Sequence, residues 1–586
     1  MAVSLPLLLA LFLGCSESEA PFQWVQWHQD PFALAAVDQR LVLLDLGTEW
    51  CHWCHVMEET TYADQAVLKQ LREAYVAVQV DADLRPDLAN RYEDYGWPAT
   101  VIFSADGTEL AKFQGYIEPE RMASILVAFR EDPTPGPSIV EAEVFSPGTD
   151  LGLSDESRRE LTSRFMHGWD PEHGGWGSVH KYLDADMVEL ALYRARAGDA
   201  QNAERAQEVL QKQRQLIDPV WGGVYQYSHG GVWTNPHYEK IMQMQAWNLR
   251  TYALATAQYG EPDDAGVLIR DYIDGFMTSR SKAFYTSQDA DLVRGEHSEA
   301  YFALDDAGRR ALGIPKIDKR VYSRENGWMI EALAHRYAAV GDPKARKMAV
   351  LAASQIEKIR AFDIGGYKHG QNDKAGPYLG DVVAMGRAYL ALYMVSQDRT
   401  YLARSLNAAR FTRRFALGSE AGLITAAADG PFPPTREYDE NCDAARWLNL
   451  LAAYTGNEEA SALSKVAMRY IVTPGIAREE GLGIGGVLLA EREFARPPAH
   501  LTVVGSFGDP AAEVLFLQAL REPTTYKRVE WFDPKGAPLP NPDVEYPELD
   551  EPAAFVCANG ACSSPITDPT RIRAASDALA RRAGWK

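Results

Sequence analysis

Two cysteines spaced two residues apart directly follow an apolar run, and this arrangement constrains the local fold more than any other feature. Residues 41–46 have the pattern of a buried strand, and the residues after Cys51 favour a helix. Cys51 therefore lies at a helix N-terminus, where unpaired N–H groups and the helix dipole stabilise a thiolate. Because Cys54 follows about one helical turn later, the two thiols can close a disulfide. The sequence predicts redox chemistry in which Cys51 attacks and Cys54 resolves.

The same motif leaves two other interpretations open. Cys51-His52-Trp53-Cys54-His55 also matches the attachment pattern of a c-type haem, with His55 as an axial ligand. A zinc site is disfavoured because no second Cys or His pair lies nearby at ligand spacing. We favour the dithiol, with His52 supporting the Cys51 thiolate, and therefore expect neither a cofactor nor a metal.

The sequence around the motif alternates as in a small α/β domain. An Asp106-Gly107 pair between two apolar runs predicts a hairpin. Pro98, just before the third strand, predicts a cis-proline loop that faces the dithiol and shapes the groove for a partner disulfide. The predicted order is strand 41–46, helix 54–75, strands 76–81, 100–103 and 110–113, and helix 119–130. This order is thioredoxin-like, and we expect such a domain over residues 21–131.

The character of the sequence changes after a proline-rich breaker at residues 132–137. We place a linker at residues 132–154 and a helical domain at residues 155–495. Long amphipathic patterns cover residues 186–195, 242–257, 328–339, 382–395 and 442–454. Gly- and aromatic-rich loops that begin at Asp170, Asp218 and Asp363 resemble one another. Helical hairpins with such loops predict a closed (α/α)6 toroid, and an open helical solenoid is the alternative.

Polar and aromatic side chains collect in two loops of the helical domain. Trp233, His237 and Glu239 precede one predicted helix, and Asp289, Asp291 and Glu299 come from a later loop. Aromatic faces suit sugar rings, and His237 with Glu239 suits acid–base chemistry. We name these six residues the candidate toroid pocket. For each carboxylate, a role as helix cap or loop support is the competing interpretation.

Residues 496–586 form a small C-terminal α/β addition, with strands at 500–505 and 528–532 around a helix at 511–520. Cys557 and Cys562 suit a local disulfide in an oxidising compartment, and a second redox pair is the alternative. Cys442 has no obvious partner and is expected to be a buried thiol.

The N-terminus and the charge restrict location and partners. Residues 5–13 are apolar and too short to span a bilayer, so residues 1–20 are interpreted as a signal peptide or lipoprotein signal, with Cys15 as the lipidation candidate. We expect an exported, periplasmic or membrane-tethered protein. A net charge of −22 argues against nucleic acid as a partner.

Several motifs together resemble the spermatogenesis-associated, thioredoxin-domain family. The residues that carry the resemblance are Cys51-His52-Trp53-Cys54-His55-Val56-Met57-Glu58, Pro236-His237-Tyr238-Glu239-Lys240, Asp289-Ala290-Asp291 and the Cys557/Cys562 pair. The resemblance covers nearly the whole mature chain. It implies a thioredoxin-like domain fused to a helical toroid like that of six-hairpin glycosidases.

These patterns favour one function over two others. The leading hypothesis is an exported thiol–disulfide oxidoreductase whose toroid positions a client protein or glycan near Cys51, with an unidentified redox partner. The second is a carbohydrate-active enzyme, epimerase-like or hydrolase-like, that uses His237 and Glu239 and has a regulatory thioredoxin-like domain. The third is a haem c protein.

Overall fold

The computed structural model describes residues 22–92, 96–139, 146–260, 263–373, 375–428, 431–479 and 483–582. The predicted signal at residues 1–20, with Cys15, lies outside these ranges. Among the described helices, none combines the length and the apolar character needed to cross a bilayer.

The N-terminal domain is a four-stranded sheet with helices on both faces. The strand order is β2-β1-β3-β4, with β1 parallel to β2 and antiparallel to β3. Its elements are α1 (Pro31–Asp38), β1 (Leu41–Gly47), α2 (His52–Glu59), α3 (Gln65–Ala74), β2 (Tyr75–Asp81), α4 (Pro86–Tyr92), β3 (Ala99–Phe103), β4 (Glu109–Gln114) and α5 (Pro119–Glu131). This arrangement confirms the thioredoxin-like prediction.

Side chains of β1 alternate between two apolar cores. Val42, Leu44 and Leu46 pack in the core on one face of the sheet, and Leu43 packs on the other. A strand covered on both faces is expected to be continuously apolar, as residues 41–44 are. The sequence predicted one helix over residues 54–75, but the structure has two. Asp64 starts the second one, because its carboxylate accepts hydrogen bonds from the first N–H groups of α3.

The helical domain closes into a ring of six hairpins. Each inner helix contacts the next, and the last contacts the first. The inner helices are α7 (Ala185–Arg196), α9 (Met242–Tyr259), α13 (Ser323–Val340), α15 (Leu379–Ser396), α17 (Tyr438–Thr455) and α20 (Ile484–Phe494). Their outer partners are α8 (Ala200–Gln213), α10 (Asp264–Gly275), α14 (Pro343–Arg360), α16 (Arg399–Ala416), α18 (Glu458–Ile471) and, for α20, the first helix α6 (Asp155–His167). The ring confirms the (α/α)6 toroid and excludes the open solenoid.

The two ends of the toroid differ. Long loops lead from each outer helix to the next inner helix, and we call their end the toroid mouth; short turns form the opposite end, the toroid base. The mouth loops hold α11 (Glu299–Phe302), α12 (Asp306–Leu312), α19 (Pro474–Glu479), β5 (Tyr227–Ser228), β6 (Pro236–His237), β7 (Lys240–Ile241), β8 (Ser287–Gln288) and β9 (Ile317–Asp318). The repeated loops are turns braced by buried ion pairs, such as Lys240 Nζ with Asp218 at 2.7 Å. Gly222 has a φ of 72°, and a Cβ there would lie 2.3 Å from the Leu268 carbonyl oxygen, so only glycine fits.

A ring of buried charges ties the inner helices together. Arg250 of α9 binds Glu189 of α7 at 2.8 Å and lies 3.5 Å from Glu331 of α13. Arg387 of α15 binds Glu331 at 2.9 Å. Arg446 of α17 closes the ring, because it binds Glu189 at 2.6 Å and Glu493 of α20 at 2.9 Å. Each of the six inner helices therefore contributes a charged side chain to one network that connects the inner helices.

The C-terminal addition repeats the strand order of the N-terminal sheet. Its order is β11-β10-β12-β13, with β10 parallel to β11 and antiparallel to β12. The elements are β10 (Ala499–Val504), α21 (Pro510–Leu520), β11 (Lys527–Phe532), β12 (Ala553–Ala558), β13 (Ala561–Cys562) and α22 (Ile572–Arg582). Gln397 and Tyr454, at the base ends of their helices, hydrogen-bond Val529 of this domain. Two sheets of the same topology thus lie at opposite ends of the toroid.

Candidate functional site

The cysteines of the motif lie between the end of β1 and the first turn of α2. They are joined by a disulfide, and Cys51 is the N-cap of α2, with its Sγ 3.1 Å from the Cys54 N–H that donates to it. The predicted cis peptide bond before Pro98 is present, at the start of β3, which neighbours β1. When the disulfide is reduced, the N–H groups of the first turn favour a thiolate at Cys51.

Asp291 of the toroid binds both histidines of the motif. Its carboxylate oxygens accept hydrogen bonds from His52 Nδ1 at 2.7 Å and His55 Nδ1 at 3.0 Å, and from the Gly295 N–H at 2.8 Å. Burial opposes ionisation, but these hydrogen bonds hold the pKa of Asp291 well below its usual value. Burial also disfavours the charged form of His52, yet the hydrogen bond and charge of Asp291 outweigh it and raise the pKa of His52. A positive charge is therefore favoured on the residue next to Cys51.

The toroid loop at residues 289–298 lies along α2, from its first residue to its last turn. The His297 ring lies 4.7 Å from the His52 ring, and Arg294 forms an ion pair with Glu58. Cys51 is only 4% exposed, whereas Trp53 is 38% exposed. The dithiol therefore faces the toroid mouth, and Trp53 marks the side on which solvent reaches the motif.

A buried carboxyl lies on the same face of β1 as the Cys54 sulfur. Asp45 accepts hydrogen bonds from the Tyr62 hydroxyl at 3.1 Å and the Gln79 amide at 3.2 Å, and burial raises the pKa of Asp45 to about 6. A Cβ on Gly47 would lie 3.1 Å from Cys54 Sγ. Because residues 45 and 47 share a face of the strand, Asp45 lies about 7 Å along the strand from that position. The strand therefore presents a carboxyl with a raised pKa on the same face as the Cys54 sulfur.

A second buried network holds the thioredoxin-like domain on the toroid mouth. Trp50 Nε1 donates to the Asp83 carboxylate at 2.9 Å, and the Asp83 carbonyl oxygen accepts from His369 Nε2 at 2.7 Å. His369 Nδ1 donates to Asp381 of α15 at 3.0 Å. Burial opposes the charge, but Asp381 raises the pKa of His369 to about 9. The network therefore fixes the residue before Cys51 against an inner helix.

His237 and Glu239 lie together in the mouth loop before α9. His237 Nδ1 is 3.9 Å from Glu239 Oε2, and the His237 ring stacks on Tyr227 at 4.3 Å. Burial lowers the pKa of His237 to about 4, and nearby histidines add to this effect. Burial raises the pKa of Glu239 to about 7, and neighbouring carboxylates add to it. Near pH 7 the imidazole is neutral and Glu239 occupies both protonation states, as suits an acid–base pair.

The other predicted pocket residues take different positions. Asp289 is buried beside Asp291, and burial raises the pKa of Asp289 to about 6. Trp233 is buried in the toroid core, where its Nε1 donates to the His173 carbonyl at 3.0 Å. Glu299 is exposed in the first turn of α11. Four of the six predicted residues thus lie close to the dithiol, in electrostatic reach of His52.

The surroundings of the motif do not fit haem. His55 is 1% exposed with its Nδ1 bound to Asp291, and the Cys54 sulfur packs against Gly47, so a macrocycle has no space. Within the described ranges, one cluster has the composition of a cation site: His55, Asp289 and Asp291, with ligand atoms within 4.8 Å of one another. Because Asp291 accepts from both histidines and Asp289 accepts from the Asp291 N–H, we assign these residues to a hydrogen-bond network.

The other cysteines in the described part of the chain do not contribute to this site. A disulfide joins Cys557 and Cys562 across the β12–β13 hairpin, in the domain at the toroid base. Cys442 is a free thiol in α17, and burial raises its pKa well above the usual value. It is therefore a poor nucleophile.

Comparison with known proteins agrees with this architecture. The family model Thioredox_DsbH, described as a protein of unknown function (DUF255), matches residues 12–130. Spermatogenesis-associated protein 20 of Homo sapiens is 22% identical, with 94% of this chain and 89% of that protein covered. The chain resembles the spermatogenesis-associated thioredoxin-domain family. The resemblance stated from the motifs is confirmed.

Other matches cover a smaller share of this chain. A Caenorhabditis elegans protein is 26% identical over 47% of this chain, and the match spans 42% of that protein's length. The thiol:disulfide interchange protein DsbD of Actinobacillus pleuropneumoniae is 31% identical over 16% of this chain and 17% of its own. Among solved structures, cellobiose 2-epimerase from Spirochaeta thermophila aligns with 57% of this chain and 96% of its own, at 14% identity and a TM-score of 0.44.

Sequence reasoning missed two groups at the site. Asp45 is the single acidic residue of the apolar run 41–46, which is a signal the sequence does contain. The contact of His369 with Asp83 has no such signal, because 286 residues separate the partners. Only the docking of the domain on the toroid brings them together.

Proposed function

We propose that this protein is a thiol–disulfide oxidoreductase whose Cys51–Cys54 pair exchanges with a substrate disulfide at the toroid mouth. The observation that carries the proposal is the position of the Cys51 sulfur at the N-cap of α2, beside His52, whose charge Asp291 favours. Both features favour a thiolate at neutral pH. The similarity of a short segment to a thiol:disulfide interchange protein supports the same chemistry.

The exchange proceeds in two steps. The Cys51 thiolate attacks one sulfur of the substrate disulfide, a mixed disulfide forms, and the electron pair of the broken bond leaves on the other substrate sulfur, which takes up a proton. Cys54 then gives its proton to Asp45 and attacks the Cys51 sulfur. The substrate leaves as a dithiol, and the protein is left with the Cys51–Cys54 disulfide. A dithiol from a separate redox partner restores the reduced protein, and the oxidising direction is the reverse.

The toroid would position the substrate, which we take to be a client protein or a glycan-bearing protein. Since Cys51 is buried under the loop at residues 289–298, a bulky client reaches it from the side of Trp53 or after that loop moves. We also propose that the protein acts outside the cytoplasm, released or tethered through Cys15. The two disulfides support an oxidising compartment.

Disulfide exchange with insulin or a peptide tests the proposal. We expect wild type to exchange and Cys51→Ser to lose activity, because the attacking sulfur is gone. Cys442→Ala is the matched control, since it removes a thiol outside the site and should keep the wild-type rate. Equal rates for wild type and Cys51→Ser would refute the proposal.

A second candidate function rests on a different observation. Burial lowers the pKa of His237 to about 4 and raises the pKa of Glu239 to about 7, and such a pair is suited to moving a proton to and from a sugar carbon or hydroxyl. Incubation of the Cys51→Ser/Cys54→Ser variant with aldoses in D₂O, followed by NMR, tests this activity. Deuterium incorporation that Glu239→Gln abolishes and Glu299→Gln leaves intact would establish it; no incorporation into any sugar would dismiss it.

A further inference from the structure

A cavity of about 260 Å³ lies at the toroid base, between α7, α20 and the C-terminal domain. Its wall is mostly apolar, formed by Leu192, Tyr193, Leu254, Leu489, Pro497 and Pro523. The volume is close to the lower limit of small-molecule sites. The cavity lies at the end of the toroid opposite the dithiol, so it is a separate site.

Two arginines on its wall have no carboxylate partner within the described residues. Arg492 Nε and Arg496 Nη1 are buried atoms without a hydrogen bond. Neither guanidinium forms an ion pair with any residue in the described part of the chain. The Arg492 guanidinium lies 4.0 Å from the centre of the Tyr193 ring, which covers one of its faces and leaves its buried Nε without an acceptor.

The carboxylates around the cavity are already engaged. Glu189 and Glu493 both accept hydrogen bonds from Arg446 of the inner-helix ring. Asp577 accepts from Arg196 at 3.0 Å. The wall therefore keeps an excess of positive charge at Arg492 and Arg496.

Unsatisfied donors of this kind destabilise a protein unless something binds them. A buried N–H without an acceptor loses the hydrogen bond that it makes to water in the unfolded chain. Guanidinium groups bind carboxylates and phosphates through two parallel hydrogen bonds, and the apolar wall suits an apolar body attached to such a group. We propose that this cavity binds a small amphipathic organic anion, with its carboxylate or phosphate on Arg492 and Arg496 and its apolar part against the remaining wall.

Isothermal titration of the full chain with four probes tests the site. The probes are 2-naphthoate, 2-naphthyl phosphate, the uncharged 2-naphthamide and inorganic phosphate. We expect one naphthyl anion to bind at one site per chain, at least about tenfold more tightly than the amide or inorganic phosphate, because only the anion combines charge with apolar burial. The tighter of the two anions identifies the head group. Equal binding of the amide or of inorganic phosphate would overturn the proposal.

Variants connect the binding to the two arginines. Arg492→Gln and Arg496→Gln should each weaken binding of the preferred anion about tenfold or more. Arg413→Gln removes one charge from an exposed side chain elsewhere and should leave binding unchanged. Without ligand, both cavity variants should melt at or above the wild-type temperature, since they remove an unpartnered charge. Unchanged binding in a folded double variant, or a strong loss of ligand-free stability, would show that the arginines serve the fold instead.

Discussion

Replacing Asp291 with asparagine should make the Cys51–Cys54 disulfide less oxidising. The carboxylate accepts hydrogen bonds from His52 and His55 at 2.7 and 3.0 Å, and an asparagine keeps the shape but loses the charge. A hydrogen bond to a charged group is worth about 1.5–3 kcal/mol, so loss of the carboxylate should lower the pKa of His52 and favour its neutral form.

The loss of that charge destabilises the reduced protein, because the His52 charge stabilises the Cys51 thiolate. A unit charge about 6 Å from a thiolate contributes about 3 kcal/mol at an effective dielectric constant of about 20. Because about 1.4 kcal/mol corresponds to about 30 mV for a two-electron couple, the reduction potential should become about 30–60 mV more negative. Redox titration against glutathione, read by alkylation of the free thiols, measures the potential, and NMR measures the pKa of His52.

Asp289→Asn is the matched control for this experiment. Asp289 lies 3.9 Å from His55 Nδ1, beyond hydrogen-bond distance, so its neutralisation should shift the potential much less. An Asp291→Asn protein with the wild-type potential, or with a more positive one, would show that the toroid carboxylate does not set the charge beside Cys51.

Three further predictions concern stability. Arg446→Met should destabilise the protein by about 3–5 kcal/mol in urea unfolding, because it leaves buried carboxylates without their partner; a loss below about 1 kcal/mol would contradict the ring's role. Since the pKa of Glu239 is raised to about 7, its protonated form stabilises the fold below pH 4.5 and this contribution is lost as the pH rises through 7. Between pH 4 and 8 the free energy of unfolding of Glu239→Gln should therefore rise relative to that of wild type by up to about 3 kcal/mol. Stabilities of the two proteins that change in parallel with pH would contradict this. Gly386→Ala should lower the melting temperature sharply, because its Cβ would lie 2.0 Å from the Trp447 ring, whereas Gly275→Ala, with open space around it, should not.

The elements that carry strong periodicity were predictable from the sequence. Five of the six inner helices were expected near their observed positions, since their long apolar patterns reflect burial on nearly all sides, as in α15. The sixth, α20, is short and has Gly485 and Gly486 in its first turn, which weakens any helix signal. Strand β12 was not predicted; it directly follows a Pro- and acid-rich stretch, and its residues are buried against β10.

The candidate site was predictable only in its local part. The dithiol and the loop before Pro98 follow from neighbouring residues, so spacing reveals them. The pairing of His52 with Asp291 joins residues 239 positions apart, and only the docking of the two domains brings them together. Asp291 was predicted as a member of the candidate toroid pocket, with loop support as the alternative, and its contact with the two histidines of the redox motif was not foreseen.

The central claim is that Cys51 is the attacking nucleophile at the toroid mouth. Incubation of the Cys54→Ser variant with a peptide disulfide, followed by mass spectrometry, tests it directly, since the mixed disulfide cannot be resolved. The account predicts one peptide per chain on Cys51, formed with the pH dependence of a thiol whose pKa is below the usual value of about 8.5. A Cys51 that forms no adduct in the native protein, or that reacts only after unfolding, would contradict it.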